Sequence, residues 1–137
     1  MPEIFVRFDK ADAEIIGEDY VDLAMLSSTT FDAFFVAHGQ KPILSLVGMT
    51  PEEHELLNQE VPEHMRRPWR DEDSPWTEAE TGLSMCAKLR RAMVDRPEDF
   101  DEWPGMVSHV IEILEPFERV LSRAKSLGAR FQLFSMF

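Results

Sequence analysis

From Pro104 to Leu127 apolar side chains recur at helical spacing. Met106, Val110, Ile113, Phe117, Val120, Ala124 and Leu127 advance by alternating steps of four and three, and Val107, Ile111, Leu114 and Leu121 widen the stripe. A helix with so broad an apolar face is stable only if the rest of the chain covers it, so this segment predicts a central packing helix. Pro116 sits inside the stripe, where it removes one backbone donor and crowds the carbonyl of Glu112. A kinked helix is therefore expected, not two independent ones. Gly128 supplies the C-terminal stop. With 137 residues, 44% of them hydrophobic, the chain has the length and apolar content for one domain spanning residues 1–137 around that helix.

The flanking segments supply the remaining elements. Glu3 to Phe8 alternates, Ile4, Val6 and Phe8 against Phe5 and Arg7, which is the period of a strand with one well-buried face. Thr30 is placed to cap a short helix holding Phe31, Phe34 and Phe35, with Gly39 as its left-handed end residue. Ile43 to Val47 is an apolar run of strand length, closed by Gly48. Thr50-Pro51-Glu52-Glu53 combines an N-cap, a proline at the first helical position and a capping-box glutamate, and the helix it opens must stop before Pro62. Thr77-Glu78-Ala79-Glu80 reads as a second capping box, opening a helix that buries Ala79, Gly82 or Leu83, Cys86, Leu89 and Met93 and ends near Pro97. Between these helices, Val61 to Trp76 holds Pro62, Pro68 and Pro75, the tryptophans Trp69 and Trp76, and the opposed charge runs Arg66-Arg67 and Asp71-Glu72-Asp73. It reads as a long loop and a candidate contact surface. Ala129 to Phe137 looks like a final strand beside Glu3 to Phe8. The expected fold is α+β: three or four helices, the long kinked one central, on a two- or three-stranded sheet that contains both chain termini.

Charge narrows the function classes. The chain has 26 acidic and 14 basic side chains, a formal net charge of -12. Residues 1–60 hold 12 acids and 3 bases, whereas residues 61–137 hold 14 and 11. Such a field repels phosphates, so binding to nucleic acid or to an anionic membrane is disfavoured. Seven basic residues lie between 66 and 96, but Asp95, Glu98, Asp99, Asp101 and Glu102 offset them at once. No apolar run reaches the roughly 18 residues of a membrane span, and Met1-Pro2-Glu3-Ile4 lacks the basic-then-apolar order of a secretory leader. A cytoplasmic location is expected. Cys86 is the single cysteine, which excludes an internal disulfide and leaves any zinc site dependent on other ligands.

The short motifs that carry chemistry fail in detail. His54-Glu55-Leu56-Leu57-Asn58 lies on a capped helix and has asparagine where a zinc protease needs its second histidine. A looser set of His54, Glu60, Glu63 and His64 would gather a cation only weakly, and a solvated acidic helix face is the plainer reading. Gly82-Leu83-Ser84-Met85-Cys86 echoes a nucleophile elbow, yet cysteine replaces the final glycine and the capping box places the segment within a helix. Cys86 shares the apolar face of Leu89 and Met93, as a small core residue does. The glycines at 17, 39, 48, 82, 105 and 128 are too far apart for a phosphate-cradling loop, and Asp9, Asp12 and Glu14 lack the spacing of an EF-hand. His109 and Glu112, one turn apart, are an acid/base pair only if something more than an ordinary polar helix face surrounds them. No catalytic residue, metal ligand or cofactor is assigned.

The expected function is therefore binding. Asp9, Asp12, Glu14, Glu18, Asp19 and Asp22, with the acids of 52 to 63 and with Trp69 and Trp76 as aromatic anchors, are the candidate contact residues for a basic protein partner. In size and charge the chain resembles bacterial immunity proteins, small acidic cytosolic domains that neutralise a basic toxin; the resemblance implies a regulator without catalytic activity. An alternative is a small enzyme or ligand-binding domain whose pocket draws His54, His64 or His109 together. A third is a homo-oligomer joined through the C-terminal strand, whose Phe131, Phe134 and Phe137 would favour pairing if that strand were a sheet edge.

Overall fold

The computed structural model describes residues 3–10 and 22–136. Their elements run β1 (Glu3–Phe8), α1 (Thr29–Ala37), α2 (Pro51–Glu60), β2 (Thr77–Glu78), α3 (Ala79–Asp95), α4 (Met106–Ser126) and β3 (Arg130–Met136), with short 3-10 turns between them. The fold is α+β, four helices packed with a three-stranded antiparallel sheet of order β1-β3-β2. β1 lies against β3 from Glu3 opposite Met136 to Phe8 opposite Phe131, so the first and last elements are neighbours in one sheet.

The long amphipathic stripe becomes α4, which runs unbroken through Pro116. It buries Met106, Val110, Leu114, Phe117, Val120, Leu121 and Ala124, a face rotated slightly from the expected one, since Ile113 is half-buried and Leu127 is exposed. α3 packs along it and adds Ala79, Gly82, Met85, Cys86, Leu89 and Met93. Gly82 permits this close approach: a Cβ there would lie 2.8 Å from the Phe131 ring and 2.9 Å from Leu121. Arg90 of α3 pairs with Glu118 of α4 at the rim of the contact. Both α1 and α4 end on a left-handed glycine with the paired backbone bonds that close a helix. Gly39 N donates to Val36 O and Gln40 N to Phe35 O; Gly128 N donates to Lys125 O and Ala129 N to Ala124 O.

Several local expectations give way to tertiary structure. Ile43–Leu46 is a 3-10 turn, not a strand, and only Val47 forms a bridge, parallel to Leu133. Ile43 and Leu46 are buried while Leu44 and Ser45 face out, a pattern that a single tight turn satisfies and an alternating strand does not. The cap of α1 is Ser28, whose Oγ accepts from Phe31 N; Thr30 lies inside the helix and its hydroxyl donates to Glu102. Thr77 does not cap α3. It pairs with Phe131 as part of β2, and α3 begins without a side-chain cap. The C-terminal strand is not an edge: β3 is central, with β1 on one side and β2 and Val47 on the other up to Leu133. Over that length its backbone groups are already used, so an open edge remains only beyond Leu133.

β1 also has two covered faces instead of one. Ile4, Val6, Phe8, Phe131 and Leu133 point to the helical core, and Phe5, Arg7, Gln132 and Phe134 point the other way. On that second face Ser74 and Pro75 cover Gln132, Arg7 reaches Glu53 at the start of α2, and both Phe5 and Gln132 are buried. No helix among the described residues is long and apolar enough to cross a membrane.

Candidate functional site

The second face of the sheet carries a polar network that fixes the most exposed helix of the fold. Gln132 is 0% exposed, and a buried amide left unpaired is costly, so each end has partners. Its Oε1 accepts from Arg7 Nε at 2.7 Å and its Nε2 donates to Ser74 Oγ at 2.6 Å. Arg7 continues the chain, donating to Gly48 O at 3.2 Å and to Glu53 Oε1 at 2.8 Å, while its guanidinium lies 4.7 Å from the centre of the Phe134 ring. Glu53 in turn completes the capping box of α2: it accepts from Thr50 N at 2.7 Å, and Thr50 Oγ1 accepts from Glu53 N at 3.2 Å. Burial pushes the Glu53 carboxyl up, but the Arg7 guanidinium and the Thr50 backbone N–H outweigh it and hold it below its ordinary value.

The failed zinc motif has a structural role at the other side of α2. Asn58 brackets the backbone of Arg67, donating from Nδ2 to Arg67 O at 2.7 Å and accepting at Oδ1 from Arg67 N at 3.2 Å. His54 Nε2 reaches the same carbonyl at 2.9 Å, and its ring meets Trp69 edge-on with centroids 5.4 Å apart. His54 and Asn58, one turn apart, thus pin the proline-rich segment to the helix.

Held at both sides, α2 nevertheless buries no residue of its own. Leu56 is 61% exposed and Leu57 52%. Between this helix and the end of β3 runs a groove of about 410 Å³, walled by Met49, Leu56, Leu57 and Phe134 with Glu53 and Glu60 on its rim. Among the described residues Glu52, Glu55 and Glu60 have no cationic partner, so the helix presents net negative charge beside bare leucines.

Of the described candidate residues named from the sequence, the acids of α2 and Trp69 lie here, whereas Asp9, Asp22 and Trp76 do not. Asp9 accepts from Arg130 N at 2.8 Å and from Arg130 Nε at 3.0 Å, closing the end of the β1–β3 pair. Burial raises its pKa, but these two donors outweigh that and hold it below the ordinary carboxylate value. Asp22 accepts from Ile4 N at 3.0 Å and Ala24 N at 2.9 Å. Both carboxylates are consumed in local structure. Asp12, Glu14, Glu18 and Asp19 lie outside the described residues. Trp69 is half-buried beside α2, whereas Trp76 lines a separate cleft with Gln40, Lys41 and Met85. Phe134 was marked only for pairing between copies, and Leu56 and Leu57 went unmarked by sequence reasoning. Their signal was a capped, strongly acidic helix carrying adjacent leucines with no further apolar residue at helical spacing to complete a buried stripe.

The histidines do not converge. His109 lines a cleft of about 670 Å³ with Glu102, Trp103 and Glu112, its ring 6.1 Å from that of Trp103, and neither His54 nor His64 takes part. Among the described residues no three His, Cys, Asp or Glu side chains come together to hold a metal. Burial pushes the Cys86 thiol far up and the Glu118 carboxylate adds to it, so Cys86 is a core residue and not a nucleophile. Comparisons with family models, with curated proteins and with solved structures each return no match.

Proposed function

We propose that this protein is a recognition domain without catalytic activity that binds a basic protein partner. The observation that carries the reading is α2: a ten-residue helix that gives nothing to the core, yet is fixed by a capping box, an ion pair and a backbone bracket. A helix retained without a packing role and held rigid is suited to presenting its outer face. That face offers carboxylates, which speed and orient encounter with a cationic partner, and exposed leucines, which contribute affinity once it is seated. In its sharper form the reading is immunity-like, a cytoplasmic domain neutralising a basic toxin; small size and a net charge of -12 support that form.

The test is affinity purification of the tagged protein from its own cells at low salt, with mass spectrometry of the eluate. A basic protein recovered in near-stoichiometric amount, released by high salt and lost from the E52Q/E55Q/E60Q variant, is the expected result. A second reading is favoured by the cleft around Trp103 and His109, which has the volume of a small-molecule site. If the protein elutes without a basic partner but with a bound small molecule, the binding-domain reading is overturned and the function moves to that cleft.

A further inference from the structure

We infer that the groove between α2 and the end of β3 is the anchoring site for a cationic amphipathic segment of the partner, with apolar side chains seated between Leu56, Leu57 and Phe134, a lysine or arginine side chain meeting Glu60 on the rim, and the wider negative field of Glu52 and Glu55 on the same helix drawing it in. The inference rests on the proposed function and specifies where and how binding occurs.

Charge selects the occupant. α2 contains Glu52, Glu53, Glu55 and Glu60 and no lysine or arginine, and among the described residues only Glu53 meets a cation, Arg7. An acidic or neutral apolar segment entering the groove would leave Glu60 on its rim, and the added field of Glu52 and Glu55 on the same helix, without counter-charge, whereas a cationic one supplies it. The apolar floor selects against a purely electrostatic contact. Leu56 and Leu57 are adjacent on the helix, both more than half exposed, and with Met49 and Phe134 they enclose about 410 Å³, room for a few aliphatic side chains.

The site is built before a partner arrives. Phe134 is held against the Arg7 guanidinium at 4.7 Å and near Phe5, with ring centroids 6.0 Å apart. Arg7 is locked by Gln132 and Glu53, and Glu53 by the α2 cap. One wall therefore cannot move without breaking the network that fixes the other, and little ordering is required on binding. Beyond Leu133, moreover, no described strand lies on the groove side of β3, so the end of the sheet stays accessible there.

The experiment uses two fluorescent ten-residue peptides of equal charge, one of lysine and leucine at helical spacing and one with serine in place of each leucine. Binding is followed by anisotropy and by amide chemical shifts of the full-length protein. The leucine peptide is expected to bind about tenfold more tightly than the serine peptide, shifting Leu56, Leu57, Phe134 and Ser135. That advantage should vanish in the L56S/L57S variant, whose changes lie on the surface, and persist in the V94S variant, which removes an exposed valine of α3. Equal affinity for the two peptides, or an advantage that survives L56S/L57S, overturns the groove while leaving a basic partner in place. If neither peptide binds at low salt, or E52Q/E55Q/E60Q binds both as well as the natural chain, the basic-partner reading itself fails, and the groove with it.

Discussion

A single buried amide links three parts of the chain that are far apart in sequence. Gln132 Nε2 donates to Ser74, 58 positions away, while its Oε1 accepts from Arg7, 125 positions away. Replacing Gln132 with alanine leaves Arg7 Nε and the Ser74 hydroxyl without their partner and opens a void at a fully buried position. Together these should cost about 3 kcal/mol, as unsatisfied groups and cavities do. Urea unfolding of Gln132→Ala is expected to show that loss, and a change below about 0.5 kcal/mol would mean that water replaces the amide without penalty. Ala129 to Phe137 was legible as a strand beside Glu3 to Phe8, and with it the place of Gln132 in the sheet. Its burial was not, because the cover comes from Ser74 and Pro75, in a segment that carries no periodic signal. The same limit applies to Asp9 and Asp22. Composition marks them as free surface charge, and only the backbone donors of Arg130, Ile4 and Ala24 show that they are spent on local structure.

At the scale of elements, what is encoded within a turn or two of chain was readable, and what depends on a distant partner was not. The Thr50 capping box, the stripe of α4 and the glycine stops of α1 and α4 are local and stand where the sequence placed them. Thr77 has the same local signature as Thr50 but pairs with Phe131, and Ile43–Val47 has the composition of a strand but only one bridge to β3. The groove belongs to this second kind, since Leu56 and Phe134 meet only once β3 lies beside Val47 and α2 is clamped by Arg7. A consequence for stability follows from α2 contributing nothing to the core. Thr50→Ala removes the cap and should weaken the helix by about 1 kcal/mol. That weakening is expected as hydrogen exchange several-fold faster at the amides of 54–60, with the global urea midpoint almost unmoved. Equal losses in both would show that α2 unfolds only with the whole molecule.

On the scale of the whole molecule, the first and last strands close the sheet, and two depressed carboxylates sit at that closure: Asp9 against Arg130 where β1 leaves β3, and Glu53 against Arg7 beneath α2. Both have folded-state pKa values below their ordinary ones, in spite of the burial that raises them, because donors on Arg130, Arg7 and Thr50 favour the charged form. Between the folded and unfolded pKa the unfolded chain binds more protons, so stability rises with pH across that interval. The contribution is complete above the ordinary carboxylate range near pH 4 and is lost as pH falls through the depressed values. A net charge of -12 acts in the opposite sense at neutral pH, where self-repulsion opposes compaction and added salt relieves it. Stability is therefore expected to change gently from pH 7 to about 5 and to fall steeply below about 4. Urea midpoints measured from pH 7 to 2.5 read this directly. Glu53→Gln, which keeps an acceptor for Arg7 but cannot titrate, should start lower at neutral pH and lose less on acidification. Were its acid limb as steep as that of the natural chain, the closure carboxylates would not govern acid unfolding, and the decline would belong to the protonation of the remaining surface acids.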